Sequence, residues 1–133
     1  KIKREIGTAS IISQTSSTSS VIRGRDLATG VPKEIIVSAD KIAESLLEPV
    51  QHIINAIKFV LEASPPELSG DIVERGLILT GGGALLGGLS EIIQKHTGLN
   101  VQIADEPLHC VAFGTGKTLD NFRELRHVLF KQY

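Results

Sequence analysis

The run Leu77-Ile78-Leu79-Thr80-Gly81-Gly82-Gly83-Ala84-Leu85-Leu86 constrains the fold of this chain more than any other. An apolar, β-favouring stretch runs into three glycines, and an amphipathic segment (Leu85, Leu86, Leu89, Ile92, Ile93) follows at once. That order predicts strand, tight turn and helix. Glycines at such a junction allow positive φ and let a ligand lie directly against the main chain. The N–H groups that open the helix would face that ligand and favour a phosphate or a polar ring edge. The alternative is a turn that only packs a helix on a sheet, and the pattern alone leaves both open. Two better-known phosphate motifs fail. G-x-G-x-x-G fits Gly81 and Gly83 but requires glycine where Leu86 stands, and the Walker-like tail Gly114-Thr115-Gly116-Lys117-Thr118 has Val111 in place of its first glycine.

A length of 133 residues suffices for one ordinary domain with a core, and 41% apolar with 22% charged residues is a globular composition. The net charge of −1 is spread along the chain, and one Tyr and four Phe offer little to stack on bases, which argues against a nucleic-acid surface. The single cysteine, Cys110, excludes an intrachain disulfide and fits a reducing compartment. Its place in an apolar run predicts a buried, inert thiol. His52, His96, His109 and His127 show no metal-ligand spacing, and no apolar run approaches the roughly 20 residues of a membrane span. The opening Lys1-Ile2-Lys3-Arg4-Glu5-Ile6-Gly7 reads as the last turns of a helix stopped by glycine, so a piece of a longer chain is expected.

Strands over residues 9–12 and 20–23 are expected to form a hairpin around the hydroxyl-rich tip 13–20, a solvated loop. Residues 34–37 read as a further strand, and Ser38 as the N-cap of a long helix with Ile42, Leu46, Val50, Ile53, Ile57 and Val60 or Leu61 inward. Pro49 is expected to break or kink that helix near Leu47 and Glu48. Ser64-Pro65-Pro66 restarts a short helix to about residue 72. A strand over 76–80, a helix over 84–96 ended by Gly98, and a strand over 99–103 follow. Pro107 opens a helix on which Gly114 and Gly116 permit close packing. A last helix over 121–130 turns Phe122, Leu125, Val128 and Leu129 inward.

Several blocks then point to a family. They are Arg23-Gly24-Arg25-Asp26-Leu27-Ala28-Thr29-Gly30-Val31-Pro32-Lys33, Pro65-Pro66-Glu67-Leu68, Arg75-Gly76 continuing through Leu86, Ile103-Ala104-Asp105-Glu106-Pro107-Leu108, and Cys110-Val111-Ala112-Phe113-Gly114-Thr115-Gly116-Lys117. In this order they resemble the bacterial actin homologues of the MreB and Mbl type, which set rod shape. The resemblance covers nearly the whole chain. Three departures stand out: a longer, less charged Ser/Thr run at 13–20, the reversed order of Asp105-Glu106, and Gly87-Gly88 in place of a basic or polar pair. Read as helical, each of those two glycines would cost about 1 kcal/mol relative to Ala.

The resemblance implies an α/β, actin-like ATPase fold of which this chain is part of the second lobe, a mixed sheet flanked by helices plus a small α+β subdomain. Residues 1–38 would belong to the outer subdomain, 39–118 to the inner one, and 119–133 to a helix returning toward the first lobe. It implies ATP, with Mg2+, held between two lobes. The matching adenosine positions are Lys3, Arg4 and Glu5 on one side and Gly81, Gly82, Gly83, Ala84 and Leu85 on the other. The stems of Lys3 and Arg4 can cover an adenine face, Arg4 adding a cation–π contribution, and Glu5 or Lys3 can reach the ribose. Without a ligand, basic residues at a helix end simply complement its dipole. No catalytic or metal-binding residue is assigned, because the family's phosphate hairpins and acids lie in its first half, and the isolated chain is not expected to hydrolyse ATP efficiently. The resemblance further implies homopolymeric filaments, cell-wall elongation partners at the membrane, and a cytoplasmic protein that reaches the membrane through parts outside this chain. The competing readings are the ATP-binding half of a sugar kinase or heat-shock ATPase of the same superfamily, and a non-catalytic interaction module.

Overall fold

The buried core is one small cluster: Ala9, Val50, Ile54, Leu89, Ile93 and Val101, with Leu46, Ile57, Leu77, Leu79, Leu86 and Ile92 packed around it. A computed structural model describes residues 2–10 and 18–129, the side chains of residues 3, 4 and 127–129 excepted. The expected strand positions Ile11 and Ile12, the loop residues Ser13, Gln14, Thr15, Ser16 and Ser17, and Phe130 lie outside the described residues.

A short helix α1 (Ile2–Glu5) leads to a hairpin of β1 (Ser19–Arg25) and β2 (Pro32–Ser38). The hairpin differs from the expected one. β1 pairs antiparallel with β2, in the register Ile22 to Ile35 and Arg25 to Pro32, and Ala9 and Ser10 are bends. The tip of the β1–β2 hairpin lies at Asp26, where an Asx turn closes the loop locally. Asp26 Oδ1 accepts from the N–H of Ala28 (2.9 Å) and Thr29 (3.3 Å), and Oδ2 pairs with Lys33 Nζ at 3.2 Å. These donors, the Ala28 N–H foremost, hold the Asp26 carboxyl below its ordinary pKa. A lowered folded pKa contributes stability above the unfolded carboxylate pKa of about 3.9 and loses it as pH falls through the folded value. The protection of the Ala28 and Thr29 amides, relative to their intrinsic exchange rates, is therefore expected to fall only below about pH 4. Unchanged protection of both amides down to pH 2 would contradict this.

Helix α2 (Ala39–Ala63) starts at Ser38, whose hydroxyl accepts from Lys41 N–H at 3.4 Å. Of the break or kink expected at Pro49, the break does not occur: the helix runs through Pro49 to Ala63. Pro49 is exposed, as is Ser45, whose carbonyl loses its helical partner and remains open to water, so the lost bond falls on the wet side. Of the expected stripe, Val50 is buried and Ile42, Leu46, Ile57 and Leu61 are half-buried, but Ile53 is exposed and Ala43 and Ile54 are buried instead.

Helix α3 (Pro66–Arg75) runs three residues past its expected end and stops at Gly76. Then β3 (Leu77–Leu79), α4 (Leu89–Thr97) and β4 (Val101–Ile103) form a β-α-β unit, with β3 parallel to β4. Gly98 closes α4 at φ 73°, as expected of a C-cap glycine.

Two expectations fail at the C-terminal end. On α5 (Cys110–Asp120), a Cβ at Gly114 or Gly116 would meet nothing within 4 Å, so these glycines serve no close packing among the described residues. On α6 (Phe122–Leu129), Phe122 and Leu125 are 41% and 36% exposed instead of inward. No described helix is long and apolar enough to cross a membrane.

Candidate functional site

The glycine run leaves β3 through Thr80 and forms a 3-10 turn over Gly82–Leu85, not the start of α4. The expected helix is interrupted there. Gly88 adopts φ 75° as the N-cap of α4, a left-handed conformation that an α-helix interior cannot hold. Gly87 and Gly88 are therefore junction residues and carry no helix penalty.

Their role is close approach. Thr8 bridges Gly87 in parallel fashion, and Ala9 N–H donates to Gly87 O at 2.7 Å. The Thr8 side chain is almost buried, and its hydroxyl donates toward Ser10 O (3.0 Å) and Gly87 O (3.2 Å) while accepting from Ser10 N–H. A Cβ on Gly88 would come within 2.7 Å of the Ser10 Cβ. This contact draws the segment after α1 to the segment after the glycine turn. As a result Ile2, Gly7, Gly83, Leu86 and Leu89 line one apolar hollow of about 380 Å³, closed on its other side by α2.

Lys3, Arg4 and Glu5 thus lie on the helix whose flanking residues share a hollow with Gly83. Glu5 is exposed, and the side chains of Lys3 and Arg4 lie outside the description. Gly82 and Gly83 are exposed and Gly81 is half-buried. Among the described residues the N–H groups of Gly82 and Gly83 meet no acceptor, while Ala84 N–H is used by Gly81 O (3.3 Å) and Leu86 N–H by Gly83 O (3.1 Å). Leu85 is 57% exposed and Ala84 is buried at 3%, so Ala84 can present backbone but no side chain to a ligand.

A second turn, which the sequence did not single out as part of a site, walls the glycines on another side. Gly81 N–H donates to Pro107 O (2.7 Å), and Ala104 N–H to Leu79 O (3.0 Å). The turn is strained. Glu106 stands at φ 47°, and a non-glycine residue there costs on the order of 1 kcal/mol. His109 N–H to Glu106 O (2.8 Å) and the His109 Nδ1 to Glu106 Oε2 approach (3.4 Å) hold it in place. Cys110 is half-buried rather than buried, its Sγ 3.6 Å from the carbonyls of Asp105 and Glu106. Among the described residues no three His, Cys, Asp or Glu side chains gather to hold a metal.

The family model described as MreB/Mbl protein matches residues 1–127. The chain belongs to the MreB/Mbl family. The cell shape-determining protein Mbl of Bacillus subtilis is 49% identical over 104 residues, 78% of this chain and 31% of the relative. The cell shape-determining protein MreB of Escherichia coli K12 is 45% identical over 120 residues, 90% of this chain and 34% of the relative. The chain spans about a third of the length of these MreB and Mbl relatives. Among solved structures, MreB5 of Spiroplasma citri bound to ADP superposes with TM-score 0.82 at 34% identity, covering 92% of this chain and 38% of that one. The same protein bound to AMPPNP gives TM-score 0.83 at 31% identity, covering 97% and 38%. The partial actin-like fold implied by the resemblance is the fold of this MreB/Mbl chain.

Proposed function

We propose that this chain supplies one wall of an adenine-nucleotide site in a longer MreB-type protein that determines cell shape. The observation that carries the reading is the bare, exposed backbone of Gly82 and Gly83, whose N–H groups lack acceptors among the described residues, with Gly83 lining the hollow that Ile2 also lines. It is supported by the folds of the S. citri protein, which were obtained with ADP and with AMPPNP. In this reading Gly81, Gly82, Gly83 and the backbone of Ala84 and Leu85 line one side of the nucleotide. Lys3, Arg4 and Glu5 close the other, their basic stems against the base. Mg2+ and the hydrolytic groups come from the remaining two thirds of the family length.

The parent protein binds ATP and polymerises head to tail, since a heterologous contact that does not close yields filaments. Cytoplasmic filaments attached to the membrane would then direct the cell-wall elongation machinery. Pelleting of the protein at the full length of its relatives, with and without ATP, tests the assembly part. Absence of ATP-dependent pelleting combined with absence of ADP binding would refute the reading.

A further inference from the structure

We propose that Thr8 is a positioning residue of the nucleotide site: its hydroxyl fixes α1 against the glycine turn. This role rests on the adenine-nucleotide reading above, in which Lys3, Arg4 and Glu5 on α1 close one side of the base. Helix α1 spans only Ile2–Glu5, about one turn. So short a helix has no stability of its own, and its place is set by whatever holds its ends. The segment that follows it is held at one joint. Thr8 bridges Gly87, Ala9 N–H donates to Gly87 O at 2.7 Å, and Ile6 N–H ties the same segment back to Ile2 O at 2.9 Å.

Thr8 is the one polar side chain buried among the described residues, and its hydroxyl serves both sides of this joint. It accepts from Ser10 N–H (3.2 Å) and shares its proton between Ser10 O (3.0 Å) and Gly87 O (3.2 Å). A buried hydroxyl is tolerated only when such partners satisfy it. The same partners fix the approach of the two backbones. A Cβ at Gly87 would stand 3.4 Å from Gly7 O and 3.8 Å from Thr8 Oγ1, so the joint has little play. Ile2 and Gly7, on either side of this helix, line the hollow that Gly83 shares. Loss of the hydroxyl therefore loosens the α1 wall while the glycine wall keeps its own turn. Being buried, Thr8 acts through α1 and not by contact with the nucleotide.

The test is calorimetric titration of ADP with Mg2+ into the protein at the full length of its relatives. The forms compared are wild type, Thr8→Val, Thr8→Ser, Lys3→Ala, the Thr8→Val and Lys3→Ala double variant, and Gly82→Val. Thr8→Val, nearly isosteric but without the hydroxyl, is expected to weaken ADP about tenfold. Thr8→Ser keeps the hydroxyl and is expected to stay within about twofold of wild type. In the double variant Lys3→Ala is expected to cost less than it does alone, because the wall that carries Lys3 is already displaced. Thr8→Ala gives the same comparison should the valine form not fold. Wild-type ADP affinity in the hydroxyl-free variants, whatever their thermal midpoint, overturns the positioning role. Equal losses in Thr8→Ser and Thr8→Val overturn it too, as do fully additive effects of Thr8 and Lys3. If any of these occurs while Gly82→Val abolishes binding, the nucleotide reading stands without Thr8. Wild-type affinity in Gly82→Val removes that reading and this role with it.

Discussion

Replacing Gly82 by valine is expected to weaken ADP binding at least about 100-fold, roughly 2.7 kcal/mol, in the protein at the full length of its relatives. The fold itself has room for the change. A Cβ at Gly82 would meet Leu108 Cδ2 at 3.4 Å, an ordinary contact, and the residue is not held at positive φ. The valine methyls would instead occupy the space above the backbone that the nucleotide needs. Thermal melting should shift by only a few degrees, so a loss of binding reads as obstruction rather than unfolding. Gly82→Ala should give an intermediate loss. Wild-type affinity in the valine variant would remove the glycine turn from the binding surface.

Gly88→Ala is expected to destabilise the protein by about 2–5 kcal/mol, combining roughly 1–2 for a left-handed alanine with about 1–3 for the overlap it creates. The overlap is with Ser10, whose Cβ would lie 2.7 Å and whose N 3.3 Å from the new methyl. The sign of this effect decides between two pictures. Were Gly88 in a helix, alanine would stabilise by about 1 kcal/mol. In the structure, the methyl pushes apart the Thr8–Gly87 bridge that joins α1 to the glycine turn. A urea midpoint that rises on substitution would refute the junction; one that falls, together with weaker ADP binding, supports it.

Much of the candidate site was legible in the residues. The strand–glycine sequence at 77–83, the Ser38 cap and the Gly98 stop are local signals, readable because each acts over one turn of chain. The ordered blocks carried the family. Elsewhere local rules met ties that only packing could break. Ile53 and Ile54 both fit a three-and-four spacing on α2, and the choice of Ile54 follows from the position of Ile93 and Val101 beneath the helix. Pro49 reads as a breaker until its unmade bond is seen to face water. Residues 34–37 read as a strand with no assigned partner, and the Asx turn at Asp26 is what brings β2 back against β1.

Sequence alone determined that a strand runs into a glycine turn and that a helix follows and stops at Gly98, because those choices depend on φ preferences and periodicity within a few neighbours; it did not place the start of α4 at Leu89. Tertiary structure alone decided that Thr8 meets Gly87, 79 positions away, and that Pro107 and Leu108 flank the glycine turn. Such pairings are set by apolar burial and shared hydrogen bonds summed over the folded chain, and no stretch of neighbouring residues encodes them.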